Sequence, residues 1–174
     1  MDLSYPIGKF EAPASLDAAR RGEWLREIAE APARLREAVR GLDDAQLDTP
    51  YRPGGWTVRQ VVHHMADSHV NAYIRYRLAL TEDQPTIKPY DQTAWAELAD
   101  ARTLPVESSL AILEGVHRRW VALAESLAEA DFARTFLHPE RGVVRLDSNL
   151  AMYAWHGRHH AAHILGLRER MGWK

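Results

Sequence analysis

The sequence contains no cysteine, which excludes a disulfide framework, a thiolate nucleophile on the protein, Cys-ligated zinc and a protein-borne redox couple. Any metal must rest on His, Asp or Glu. It also lacks an excess of either charge: 22 basic against 24 acidic side chains leave no broad positive field, so neither nucleic acid nor an anionic membrane is an expected partner. No run of apolar residues approaches a membrane span. The first 13 residues lack a basic start followed by an apolar block, so they do not read as a signal peptide, and a cytoplasmic location is expected. With 9 Pro and 10 Gly in 174 residues, the composition is too poor in breakers for a disordered chain. Residues 1–174 are expected to form one domain, long enough to bury roughly two thirds of the unfolded surface.

What is present is helical periodicity. The opening stretch to Pro13 should lie extended over the surface, with Ser15 as an N-cap for a first helix, Leu16 to Arg40, that Gly41 ends. Pro32 should kink or split it. Asp43 to Leu47 suits one short turn, and Thr49 to Gly55 (TPYRPGG) must be a loop. Thr57 is positioned to cap a long second helix reaching about Leu80 through Val58, Val61, Val62, Met65, Tyr73 and Tyr76. A short helix around Trp95 (Asp91 to Leu98) precedes a third long helix that starts at Pro105 and runs to Leu127. Phe132 to Asp147 reads as a loop or short hairpin with Arg141-Gly142 at its tip, after which Asp147 or Ser148 caps a last helix to Met171. Four long helical patterns and little strand signal predict an all-α four-helix bundle with crossover loops and short extra helices.

Nine histidines are present, and seven fall in two windows: His63, His64 and His69 on the second helix, His156, His159, His160 and His163 on the last. Such clustering points to metal binding, because residues four apart on a helix direct two imidazoles at one ion. Two H-x-x-x-H pairs exist. His156 and His160 share a face with Tyr153, Ile164 and Leu167, whereas His159 and His163 follow a more polar line, so the first pair is the better inward site. A third ligand would come from the second helix. His64 borders the apolar stripe and is preferred over His63, which aligns with Arg59 and Asp67. Three histidines leave a coordination position open for water or substrate, as catalytic sites do. Asp67 could orient a ligand or act as a base, and His163 could line the open side and shuttle protons. Arg59, Arg75, Arg77 and Arg158 suit solvated helix positions better than a substrate site.

The segments PGGWTVRQVVHHMADSH (53–69), TEDQPTIKPY (81–90) and YAWHGRHHAAHILGLRERMGW near the C-terminus, with the opening YPIGKF, closely resemble the YfiT branch of the DinB-like superfamily. The likeness extends over nearly the whole chain. It implies a four-helix bundle in which one His of the second helix, followed by a bulky apolar residue, joins the H-x-x-x-H pair of the last helix on a divalent ion, Zn2+ or Ni2+. Those positions are His64, before Met65, and His156 and His160. The resemblance further implies a metal-dependent hydrolase, dimeric, with a small-molecule substrate. Related bundles, the bacillithiol and mycothiol S-transferases, join a low-molecular-weight thiol to an electrophile. In a hydrolase the open position would hold an activated water; in a transferase it would hold the thiol sulfur. A non-catalytic, metal-stabilised dimeric bundle is the remaining alternative.

Overall fold

The computed structural model describes residues 2–173. Four long helices, α1 (Ala18–Val39), α3 (Val58–Thr81), α6 (Glu107–Glu125) and α7 (Leu146–Met171), carry the fold. Three short ones, α2 (Asp44–Leu47), α4 (Gln92–Ala96) and α5 (Ala99–Thr103), lie in the connections, together with a 3-10 turn at Glu129–Ala133. Strands β1 (Thr135–His138) and β2 (Gly142–Arg145) form an antiparallel hairpin that pairs Thr135 with Arg145 and His138 with Gly142. No helix among the described residues is long and apolar enough to cross a membrane.

Around the bundle, α1 packs on α6 and α7, and α3 packs on the same two. Helices α1 and α3 therefore face one another across a diagonal, as do α6 and α7. The chain crosses the bundle between α1 and α3 and again between α6 and α7. This is the expected four-helix bundle with crossover connections, and the hairpin belongs to the second crossing.

Local chemistry sets the helix ends, and some differ from the sequence expectation. Asp17, not Ser15, caps α1 by accepting from the Arg20 N–H at 2.9 Å, while the Ser15 hydroxyl donates to Asp17 at 2.6 Å. Thr57 caps α3 as expected, in a reciprocal box with Gln60. The expected helix at 91–98 is two helices, α4 capped by Asp91, then α5. Pro105 lies just before α6, whose first residue is Glu107, and that helix ends at Glu125. Neither Asp147 nor Ser148 caps α7, which begins one residue earlier. Asp147 is fully buried in its first turn, paired with Arg145 and accepting from the Ser148 N–H.

The largest departure is in α1. Pro32 neither ends nor splits the helix, which continues through it. A proline removes the N–H that would bond the carbonyl four residues back, here Ile28, and an unpaired buried carbonyl is costly. The Ile28 carbonyl instead accepts from Nδ1 of His117 on α6.

The apolar core falls into two clusters. One contains Trp24, Ile28, Tyr76, Trp120, Phe136 and Leu150; the other contains Leu35, Val58, Met65, Leu113, Ile164 and Leu167. Full burial of each such side chain contributes about 1.5–3 kcal/mol. The stretches joining the clusters carry His69 on α3, His117 on α6, and His156 and His160 on α7. A layer of imidazoles thus interrupts the apolar core.

Candidate metal centre

Helix geometry stacks His156 above His160 on α7, and α3 presents His64 to both: ring centroids lie 5.5 Å from His64 to His156, 4.9 Å to His160, and 4.5 Å between the α7 pair. One ring nitrogen from each lies within 4.8 Å of the others. The structure thus brings together the three residues singled out from the sequence. His64 and His160 are buried and His156 is half-buried. Burial holds His64 down at about 4, and holds His156 and His160 well below the ordinary histidine value, with neighbouring rings adding to the effect. Neutral imidazoles are the form that ligates metal, with bonds of about 2.1 Å. The donor set therefore fits one divalent ion.

The three rings line a cavity of about 1000 Å³ that opens to solvent. Its walls include Trp56, Ser68, Tyr90, Tyr153 and Trp155. The 49–57 loop supplies two of the aromatic covers: Trp56 lies 4.7 Å from the His64 ring, and Tyr51 stacks on His163 at 4.0 Å. Gly55 makes that loop tight, since a Cβ there would sit 2.8 Å from Cγ of Arg52 and 3.2 Å from the Tyr51 ring. Lys9, Arg52, Arg75 and Arg141 also line the cavity, and none of them forms an ion pair among the described residues. The carboxylates on the wall are Asp91 and Glu140. Asp91 is occupied capping α4, and neither bonds to the three rings.

The second α7 pair differs from its expected polar setting: His159 and His163 are both buried. The cause lies far away in sequence. The N-terminal stretch folds over them, placing Tyr5 5.8 Å from His159 and the Ser4 carbonyl 3.2 Å from Nε2 of His163, while Phe10 meets Trp155 edge-on at 5.9 Å. His159, His160 and His163 form a second group whose ligand atoms lie within 4.8 Å of one another. In this group Nε2 of His163 donates to Ser4, and the buried Nδ1 of His159 has no partner.

His163 lines the cavity and lies against His160, their Nδ1 atoms 3.4 Å apart. Asp67 is not brought to the centre. It is not among the residues of the cavity wall and bonds to no histidine, and burial, with Asp100 nearby, raises its carboxyl to about 6. His63 is also buried, donating through Nε2 to the Leu104 carbonyl and accepting at Nδ1 from Ser109 at 2.7 Å. Arg59 is not solvated as expected: its buried guanidinium ties Asp44 and Asp48 of the preceding connection to the Leu104 carbonyl.

Two histidines behind the centre were not singled out as site residues. His69 reaches Nδ1 of His156 through Nε2 at 3.0 Å, and its own Nδ1 meets Nε2 of His117 at 2.8 Å. His117 follows Leu113 by four residues and precedes Trp120 by three, so its place on the apolar stripe of α6 was readable from the sequence.

Comparison with known proteins gives the family and the fold. The family model of the DinB superfamily matches residues 27–164. A Bacillus mycoides (strain KBAB4) protein named "Putative metal-dependent hydrolase" is 54% identical over 172 residues, covering 99% of each chain. The Bacillus subtilis (strain 168) protein "Putative metal-dependent hydrolase YfiT" is 49% identical over 174 residues, covering 99% of this chain and 98% of its own. The solved structure of YfiT from Bacillus subtilis, described as "a probable metal-dependent hydrolase with an unusual four-helix bundle topology", superposes with a TM-score of 0.97 over 100% of both chains. TT2238, a four-helix bundle protein, shares the fold at a TM-score of 0.56 and 23% identity, covering 81% of this chain and 94% of its own. With the imidazole cluster in its core and a family match across most of its length, the chain belongs to the DinB superfamily.

Proposed function

We propose that the chain is a metal-dependent hydrolase of small molecules, with His64, His156 and His160 holding one divalent ion, Zn2+ before Ni2+, at the floor of the cavity. The observation that carries this is the meeting of the three ring nitrogens within 4.8 Å on the wall of an open cavity. A divalent ion held there would supply Lewis acidity, able to polarise a substrate carbonyl and to make water more acidic. Three histidine ligands are the set used where a coordination position must stay open. The names of the relatives support the same reading.

The chain's own residues do the rest. Trp56 covers His64 and limits water on that side, so a substrate meets a partly dry site where charge interactions are strengthened. Lys9, Arg52, Arg75 and Arg141 favour a substrate that carries negative charge. We place His163 behind His160 as a support, since its Nε2 is held by Ser4.

A second reading, S-transfer from a low-molecular-weight thiol to an electrophile, is favoured by one feature: among the described residues no carboxylate bonds to the three rings, and Asp67 is not on the cavity wall. A thiol brings its own nucleophile and is acidic enough to need no strong base. One experiment separates the readings. Zinc-loaded protein is offered a panel of esters and amides, and separately a model electrophile with a panel of thiols. Hydrolysis abolished in a His64→Ala variant supports the first. Zinc-dependent conjugation with no hydrolysis overturns it in favour of the second.

The expected homodimer and cytoplasmic location belong to the same proposal. Sedimentation at several concentrations tests the first, where a monomer throughout would refute it.

A further inference from the structure

The hydrogen bonds behind the centre leave no freedom in where each proton sits. A backbone carbonyl only accepts, so His117 must carry its hydrogen on Nδ1, the atom facing Ile28. A neutral His117 then has a bare Nε2, which accepts from Nδ1 of His69 at 2.8 Å. The bare Nε2 of His69 in turn accepts from Nδ1 of His156 at 3.0 Å. Each nitrogen–nitrogen contact has room for one hydrogen, and the direction is set at the carbonyl end. His156 is left with Nε2 as its lone-pair nitrogen.

The same construction recurs one turn on. The Ser4 carbonyl accepts from Nε2 of His163 at 3.2 Å, so His163 offers a bare Nδ1 to the Nδ1 of His160, 3.4 Å away. His160 must donate there, and it too is left with a free Nε2. Both α7 histidines are thus oriented by an imidazole that ends on a main-chain oxygen.

The first relay has a covalent origin. The Ile28 carbonyl is available because residue 32, whose N–H would have taken it, is proline. A helix-interior proline, unfavourable by propensity, here frees the acceptor on which the relay ends.

We propose that His69 and His117, anchored by the carbonyl that Pro32 frees, and His163, anchored by Ser4, are positioning residues that fix the tautomers of His156 and His160 so that both present Nε2 to a bound cation. This rests on the ligand reading above. Outer partners of this kind orient the ligand ring and raise its basicity, and losing one lowers metal affinity by about 10–100-fold.

The test reads tautomers directly, in protein free of metal. Long-range proton–nitrogen NMR on 15N-histidine-labelled protein should show, for His156 and His160, the hydrogen on Nδ1 and a pyridine-type Nε2. The opposite tautomer at His156 overturns the relay. Zinc affinity, measured by chelator competition, gives the second readout. His117→Gln keeps an oxygen able to accept from His69 and should bind Zn2+ within about threefold of the parent. His117→Leu removes the acceptor and should bind about 10–100-fold more weakly, with His156 becoming a mixture of tautomers. Equal affinity and an unchanged His156 spectrum in His117→Leu would refute the proposal. If that variant does not fold, the spectrum of the parent protein decides alone. The two readings fail separately: expected tautomers in a protein that binds no Zn2+ refute the ligand assignment and support the relay, whereas Zn2+ bound with the opposite tautomer refutes the relay.

Discussion

The carbonyl oxygen of Ile28 accepts from the His117 ring at 2.5 Å, across 89 residues of sequence, in place of the helical N–H that Pro32 cannot supply. A Pro32→Ala substitution restores that N–H and draws the carbonyl back toward the helix axis. By propensity alone the helix gains up to about 3 kcal/mol. The expected result is a melting temperature no lower than the parent's and zinc affinity reduced several-fold. Thermal melts and chelator competition on the same preparation check this, and unchanged affinity with a higher melting temperature would separate Pro32 from the metal centre.

The acid limb of the stability curve offers a second prediction. Burial holds His117 at about 4, against 6.5 for an ordinary histidine. Between those values the unfolded chain binds a proton that the folded chain refuses, so this ring's contribution is fully present above pH 6.5 and is lost as pH falls toward 4. One such ring gives a slope of up to about 1.4 kcal/mol per pH unit in that window. His117→Gln, which cannot titrate, should unfold in urea with a shallower dependence on pH between 6.5 and 4. An identical slope in the two proteins would show that His117 is not held neutral.

Asp67 should behave as a half-buried acid rather than a base in the cavity. Its carboxyl is raised to about 6, so the folded state disfavours its charge, and stability falls as pH rises from 3.8 through 6. At pH 7, Asp67→Asn should be more stable than the parent by about 1 kcal/mol after allowance for solvent screening, a gain that disappears near pH 4. Turnover on any substrate found should stay within a fewfold of the parent. A hundredfold loss of turnover with unchanged zinc content would make Asp67 the base after all.

Much of this molecule was legible in the sequence. Helical spacing from Val58 to Tyr76 and the Thr57 cap located α3, and H-x-x-x-H spacing located His156 and His160, because these signals lie within a few residues of one another. The burial of His159 and His163 was not legible, since it depends on Ser4, Tyr5 and Tyr51 folding back over α7 from more than 100 residues away. That Pro32 does not split α1 was hidden for a related reason. Its local meaning is a break, and only the tertiary fold brings a ring from α6 to the orphaned carbonyl. Asp67 lies three residues from His64, a net offset of about 60° around the helix, so spacing alone placed it beside the ligand; that it is not on the cavity wall depends on the tertiary packing around α3.

The choice between the two histidine groups is the most direct point of attack, because His160 belongs to both. Anomalous diffraction at the zinc edge, from crystals of zinc-loaded protein, locates the ion without reference to any activity. The expected map has a single peak about 2.1 Å from one nitrogen each of His64, His156 and His160. A peak on His159 and His163 with His64 unligated, or none at full zinc loading, would contradict ligation by the three.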